Sequence, residues 1–173
     1  MAKDQFVTGT ARSFKETDVI VSKTDAKGII SYVNRTFIRI SDYSEAEVLG
    51  KPHNIIRHPD MPRAVFRLMW DRIQGGREIF AYVINRCKGG DHYWVLAHVT
   101  PSFDGKGALC GFHSNRRSPN AEIVARQIAP LYAEMRRLER DAADPRHGMD
   151  HALAHLNAAL AAKGVDYDRF FFA

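Results

Sequence analysis

One short stretch, Asn54 to Pro62 in "NIIRHPDMP", brings an arginine, a histidine and an aspartate together. Pro59 and Pro62 bar a long helix there, because each lacks an N–H donor and disfavours helical geometry in the preceding residue. Three polar groups of different charge therefore sit in a stiffened loop. Arg57 offers a planar fork matched to phosphate oxygens. His58 can donate a hydrogen bond or stack. Asp60 can accept from a hydroxyl or an amine, orient Arg57, or cap the helix that starts near Pro62. Trp70 stands on that helix, where it can face a flat ligand or pack in a core. Asn85 can hydrogen-bond the polar edge of a ring, or serve as a satisfied strand amide.

Other reactive groups form no constellation. Cys87 and Cys110 are the two cysteines and make no CxxC pair, which argues against a disulfide scaffold or a zinc site and suits a reducing compartment. The histidines number eight. His151 and His155 stand one helical turn apart, but solvent-facing polar residues explain them, so no metal site is assigned. No nucleophile, base and orienter fall together and no carboxylates pair, so no catalytic residue is assigned and the chain is not read as an enzyme.

The elements that must hold these groups follow from pattern. "DVIVSK" and "IISYVN" read as two strands of a hairpin turned at Gly28. "RTFIRISDYS" carries a short helical face. Ser44 and Glu47 have capping-box spacing, and Gly50 suits a stop. Val65, Phe66, Met69, Trp70 and Ile73 fall at helical spacing over 63–75. Strands follow over 78–86, 92–101 and 108–116, joined by the turns "KGGD" and "FDGKG". On the second, Trp94, Leu96 and His98 share one face; Tyr93, Val95, Ala97 and Val99 share the other. On the third, Phe112, Ser114 and Arg116 oppose His113 and Asn115. From Asn120 the pattern is helical, with a kink or split expected at Pro130. "DPRHG" breaks the chain before a last, alanine-rich helix carrying Leu153, Leu156 and Leu160, and an aromatic end, "VDYDRFFFA".

Composition bounds the class. The chain has 173 residues, 45% hydrophobic and 26% charged, enough for one domain with extensions. Net charge is +5, but the basic residues are scattered, so a mixed solvated surface and no nucleic-acid partner are expected. No apolar run approaches the roughly 20 residues that span a bilayer, and the N-terminus lacks an apolar signal core. A soluble, cytoplasmic protein is expected.

The order of elements resembles a PAS domain: an α+β fold with a five-stranded antiparallel sheet and short helices around a ligand pocket. The detail of "NIIRHPDMP", Trp70, "NRCKGGDHYWVLAHVTP" and "PLYAEM" is similar to the FAD-binding sensor domain of bacterial aerotaxis receptors, over about residues 7–135. That resemblance implies FAD as cofactor, with Arg57, His58, Asp60 and Trp70 supporting it. Asn34 and Asn85 stand where the family has polar pocket residues. Blue-light sensors of the fold use an "NCRFLQ"-type cysteine, whereas Cys87 lies on a different element, so adduct chemistry is not expected. Receptors of this family continue into a membrane anchor and a coiled coil. This chain carries neither, so it is either a free-standing sensor or a piece of a longer receptor, and direct membrane insertion is not implied.

The expected organisation is an N-terminal cap over 1–17, a sensor domain over 18–118 and a helical extension over 119–173. The expected function is a redox or energy sensor that passes flavin state to a chemotaxis-type or other signalling protein in trans, as a homodimer. Two rivals stand beside it. One is a haem gas sensor, for which His53, His58, His98 and His113 are the ligand candidates. The other is a cofactor-free interaction module.

Overall fold

The computed structural model describes residues 6–171; the first five residues and the last two of the aromatic end lie outside them. Its centre is a five-stranded antiparallel sheet of β1 (Ile20–Asp25), β2 (Ile30–Val33), β3 (Ile79–Arg86), β4 (His92–Phe103) and β5 (Leu109–Arg117). The order is β2-β1-β5-β4-β3, so the last strand closes the sheet between the N-terminal hairpin and the meander. Ser22 pairs with Ser114, and Ser114 with Val99, which fixes one register across three strands. The α+β reading and the five expected strands are all present.

Between β2 and β3 the chain forms α1 (Arg35–Ser41), α2 (Glu45–Val48), a 3-10 turn over His53–Ile56, and α3 (Arg63–Gln74). The capping box is made: Glu47 Oε2 accepts from the Ser44 N–H at 2.9 Å. Asn34 caps α1, its Oδ1 accepting from Phe37 N–H at 2.9 Å and Val21 N–H at 3.0 Å while its amide donates to Val19. These elements cover one face of the sheet. They bury Phe37, Ile40, Val48, Ile56, Val65 and Ile73 against it.

After β5 the chain turns into α4 (Ala121–Ile123), capped by Asn120, then a π-helical stretch Val124–Ile128, then α5 (Ala129–Asp141). At Pro130, where a kink or split is expected, the helix changes type. Pro130 sits in the first turn of α5, and the Ala129 N–H reaches back five residues to the Val124 carbonyl. The widened turn accommodates a residue without a donor. The last helix, α6 (Pro145–Ala162), starts earlier than its leucine pattern suggested, with Asp144 as cap and Pro145 at its first position. His147 and Gly148 are thus helical. Gly148 is required there: a Cβ would stand 2.8 Å from the Glu139 carbonyl of α5.

These helices close the free edge of β3. Tyr132 Oη donates to the Tyr82 carbonyl at 2.7 Å and Tyr167 Oη to the Phe80 carbonyl at 2.9 Å. Both oxygens belong to an edge strand that otherwise invites another chain. Met135, Leu156 and Leu160 are buried, so this part of the apolar stripe is covered within the chain. At the other end, residues 8–12 lie along the start of β4, with Thr8 and Arg12 side chains held by Asp91.

Candidate functional site

Between the sheet and α3 lies a cavity of about 320 Å³. The sheet supplies one wall: Ser22 and Thr24 of β1, Val83 and Asn85 of β3, Ala97 and Val99 of β4, and Phe112, Ser114 and Arg116 of β5. The parity of each strand puts these on one face. Phe66, Met69, Trp70 and Ile73 of α3 supply the opposite wall, at the spacing of one helix face. Lys27, Gly28, Pro52, His53, Asn54, Ile56 and Arg57 complete the lining.

Of the six residues singled out in the sequence, Arg57, Trp70 and Asn85 line this cavity. Trp70 stands edge-on to Phe112, ring centroids 5.4 Å apart. Gly28 faces it with φ near 80°, and a Cβ there would come within 3.0 Å of the indole. Arg57 lies over the Phe66 ring at 4.4 Å, and Nη2 donates to the Met61 carbonyl at 3.4 Å. Burial, and then the charge of Arg63, lower its pKa from the usual arginine value. Its backbone pairs with Asn85 across the free edge of β3, which brings the polar loop to the sheet.

The other three lie outside the lining. Asn34 spends its amide on the α1 cap and on β1. His58 is buried with its ring 5.4 Å from that of His92, and its Nδ1 accepts from the Asp60 N–H at 3.0 Å. Burial pulls its pKa down to about 4. Asp60 turns outward and pairs with Arg136 of α5. α5 grips this region twice: Glu139 accepts from the Arg63 and Ala64 N–H groups at 3.0 and 2.8 Å. It thereby caps α3, whose own N-cap residue is a proline without a side-chain acceptor.

A group that the sequence places on this strand face, but that was not among the six site candidates, dominates the inner wall. Arg116 is 3% exposed. Its Nη2 donates to Ser22 Oγ at 2.7 Å and to His53 Nε2 at 2.6 Å. Burial, and then Arg116 itself, drive the His53 pKa down to about 3, so this histidine is a neutral acceptor. Among the described residues Arg116 has no carboxylate partner, and burial lowers its own pKa to about 10. Arg116 Nη1, Ser114 Oγ and Asn85 Nδ2 are buried without hydrogen-bond partners. Each such group costs about 1–3 kcal/mol. The available signal was parity: Arg116 shares its strand face with Phe112 and Ser114.

The remaining histidines and cysteines are placed elsewhere. His98 stacks on Phe80 and pairs with Glu78, and the lowered pKa of His113 comes first from burial and then from Lys23. Among the described residues no cluster of three or more His, Cys, Asp or Glu can hold a metal. The Cys87 thiol donates to the Ile40 carbonyl at 3.2 Å, and burial raises its pKa to about 11.

The model of the PAS fold family matches residues 12–116. The aerotaxis receptor of Escherichia coli (strain K12) is 38% identical over 133 residues, which are 76% of this chain and 26% of the receptor. The nitrogen fixation regulatory protein of Klebsiella pneumoniae is 28% identical over 113 residues, 65% of this chain and 23% of that protein. The chain thus spans about a quarter of the length of these relatives. Among solved structures, the light state of the blue-light photoreceptor Aureochrome1 LOV superposes with a TM-score of 0.55 at 23% identity, covering 68% of this chain and 91% of that one. A second, titled "Flavin Analogue Sheds Light on Light-Oxygen-Voltage Domain Mechanism", gives 0.57 at 16% identity, covering 67% and 87%. Both show the fold. Among the described residues no helix is long and apolar enough to cross a membrane.

Proposed function

This chain belongs to the PAS fold family, and from that premise we propose that it is a redox or energy sensor whose cavity holds FAD. One observation carries the reading. The cavity sets aromatic and aliphatic walls around three unpaired buried polar groups, Asn85 Nδ2, Ser114 Oγ and Arg116 Nη1. A flat heterocycle with a polar edge matches both features. The volume of about 320 Å³ suits one ring system better than a whole dinucleotide. In this reading the ring enters between Trp70 and the sheet, while the phosphates stay near Arg57 and the exposed Lys27. The similarity to the aerotaxis receptor supports it.

His58, Asp60 and Asn34 then act on the framework that holds the ring. Asp60 ties the loop to α5, His58 seats the turn at Pro59 and Asp60, and Asn34 fixes α1 against β1. Two links carry ligand state outward. β5 runs from Arg116 into the Asn120-capped helix, and α5 returns to clamp α3 and Asp60. The output is altered packing of those helices, presented to a chemotaxis-type or other signalling protein in trans. We assign no catalytic residue.

The haem rival is disfavoured by placement. Of its four candidate histidines only His53 lines the cavity, and its Nε2 already faces Arg116 and Ser22. The absorption spectrum of the purified protein, with the released cofactor identified by mass, tests the reading. Flavin bands in the blue and a mass of FAD are expected. A Soret band supports haem, FMN corrects the nucleotide, and a protein that stays colourless after incubation with FAD supports the interaction module.

A further inference from the structure

We propose that Arg116, set in place by Ser22 and His53, is the electrostatic partner of the ligand's ring and biases the cavity toward the reduced, negatively charged form. The inference rests on the FAD reading above. Its ground is a charge without a counter-charge. A buried arginine is ordinarily matched by a carboxylate, because an uncompensated ion in a dry site costs several kcal/mol. Here both partners of Nη2 are neutral, a hydroxyl and an unprotonated imidazole. They orient the guanidinium but do not neutralise it. The guanidinium lies 5.9 Å from the Phe37 ring centroid, but among the described residues Nη1 has no hydrogen-bond partner, and Arg116 lines the cavity. The missing acceptor is therefore supplied by what the cavity holds.

The ring fits this place better than the phosphates do. A pyrophosphate brings two negative charges, and Arg116 supplies one positive charge in a site closed from water. Arg57 and Lys27 line the same cavity where it is more exposed, and Arg63 stands near Arg57. The ring edge is different. Oxidised, it offers neutral carbonyl acceptors that Nη1 can serve. Reduction by dithionite adds two electrons and takes up one proton, which leaves one net negative charge on the ring. A fixed cation beside it favours that state, since charge near the ring tunes a flavin's electronics.

The test is a midpoint potential of the FAD-loaded protein, measured against free FAD in the same cell. The wild-type midpoint is expected above that of free FAD; a bound midpoint at or below it overturns the proposal. Arg116→Gln is expected to keep FAD and to lose about tenfold of the preference for the reduced form, a drop of ~30 mV for two electrons. An unchanged midpoint in that variant overturns the proposal. So does loss of FAD with riboflavin still bound as in the wild type, because that places Arg116 on the phosphates. If circular dichroism shows Arg116→Gln unfolded, Arg116→Lys decides: its charge keeps the midpoint above free FAD, and a midpoint below overturns the proposal. Wild-type protein that takes up no flavin at all defeats the FAD reading and this inference together, a result distinct from a low midpoint.

Discussion

Gly111→Val leaves little folded protein. Gly111 lies in β5 opposite Asp25 of β1 and Ser102 of β4. A Cβ there would stand 2.1 Å from the Thr24 carbonyl oxygen, which belongs to backbone and cannot rotate away. Thr24 sits where β1 is bulged against β2. The clash falls on the pairing that joins the two halves of the sheet, so relief means separating the strands. Even Gly111→Ala should cost at least ~3 kcal/mol, the upper end for overpacking. In a chain of this length that is roughly a 6–12 °C fall in melting temperature. Thermal unfolding followed by circular dichroism measures it. An alanine variant melting with the wild type would mean the strands adjust freely.

Trp70→Ala has the largest expected effect on the ligand. The indole forms the α3 wall between Gly28 and Phe112, and no other aromatic ring stands at that position. Stacking of a flat ring on an aromatic is worth about 1–3 kcal/mol. Its loss should weaken FAD roughly 5- to 150-fold. The chain should stay folded, because the indole is only half buried. Arg57→Ala separates the roles: it should weaken FAD more than riboflavin, while Trp70→Ala weakens both. Titration of flavin-stripped protein, with circular dichroism as the folding control, reads both variants. Wild-type affinity in Trp70→Ala would remove the ring from the α3 wall.

Much of this arrangement is written in local pattern. The alternation of 92–101 and the helical spacing of 63–75 each depend on neighbours a few residues away, so both elements stand where periodicity puts them. The same holds for the capping box at Ser44. The polar loop was legible as a loop, but not in its directions. Arg57 turns to the cavity, His58 into the protein and Asp60 outward, because the partner of Asp60 is Arg136 of a helix far along the chain. Asn34 resembled a pocket residue, yet its position just before α1 made it a cap, a role its residue type equally suits. Arg116, legible on its strand face, was not a site candidate for a related reason. An arginine near a strand end ordinarily faces water, and only the pairing of β5 with both β1 and β4 places it inside. Pro130 marked the place of the disturbance but not its form, a π-turn that absorbs what a regular helix cannot.

The central claim is that ligand state in the cavity reaches the C-terminal helices. Two contacts make it specific: the passage from Arg116 through Asn120 into α4, and the grip of Arg136 and Glu139 on the Asp60 loop and α3. Amide hydrogen exchange compared between oxidised and dithionite-reduced FAD-bound protein tests it most directly. The account predicts a redox difference in residues 120–128, in 136–141 and in the first turn of α3, with the outer strand β2 unchanged. Identical exchange in both states across those segments, with flavin bound and reduced throughout, would contradict it.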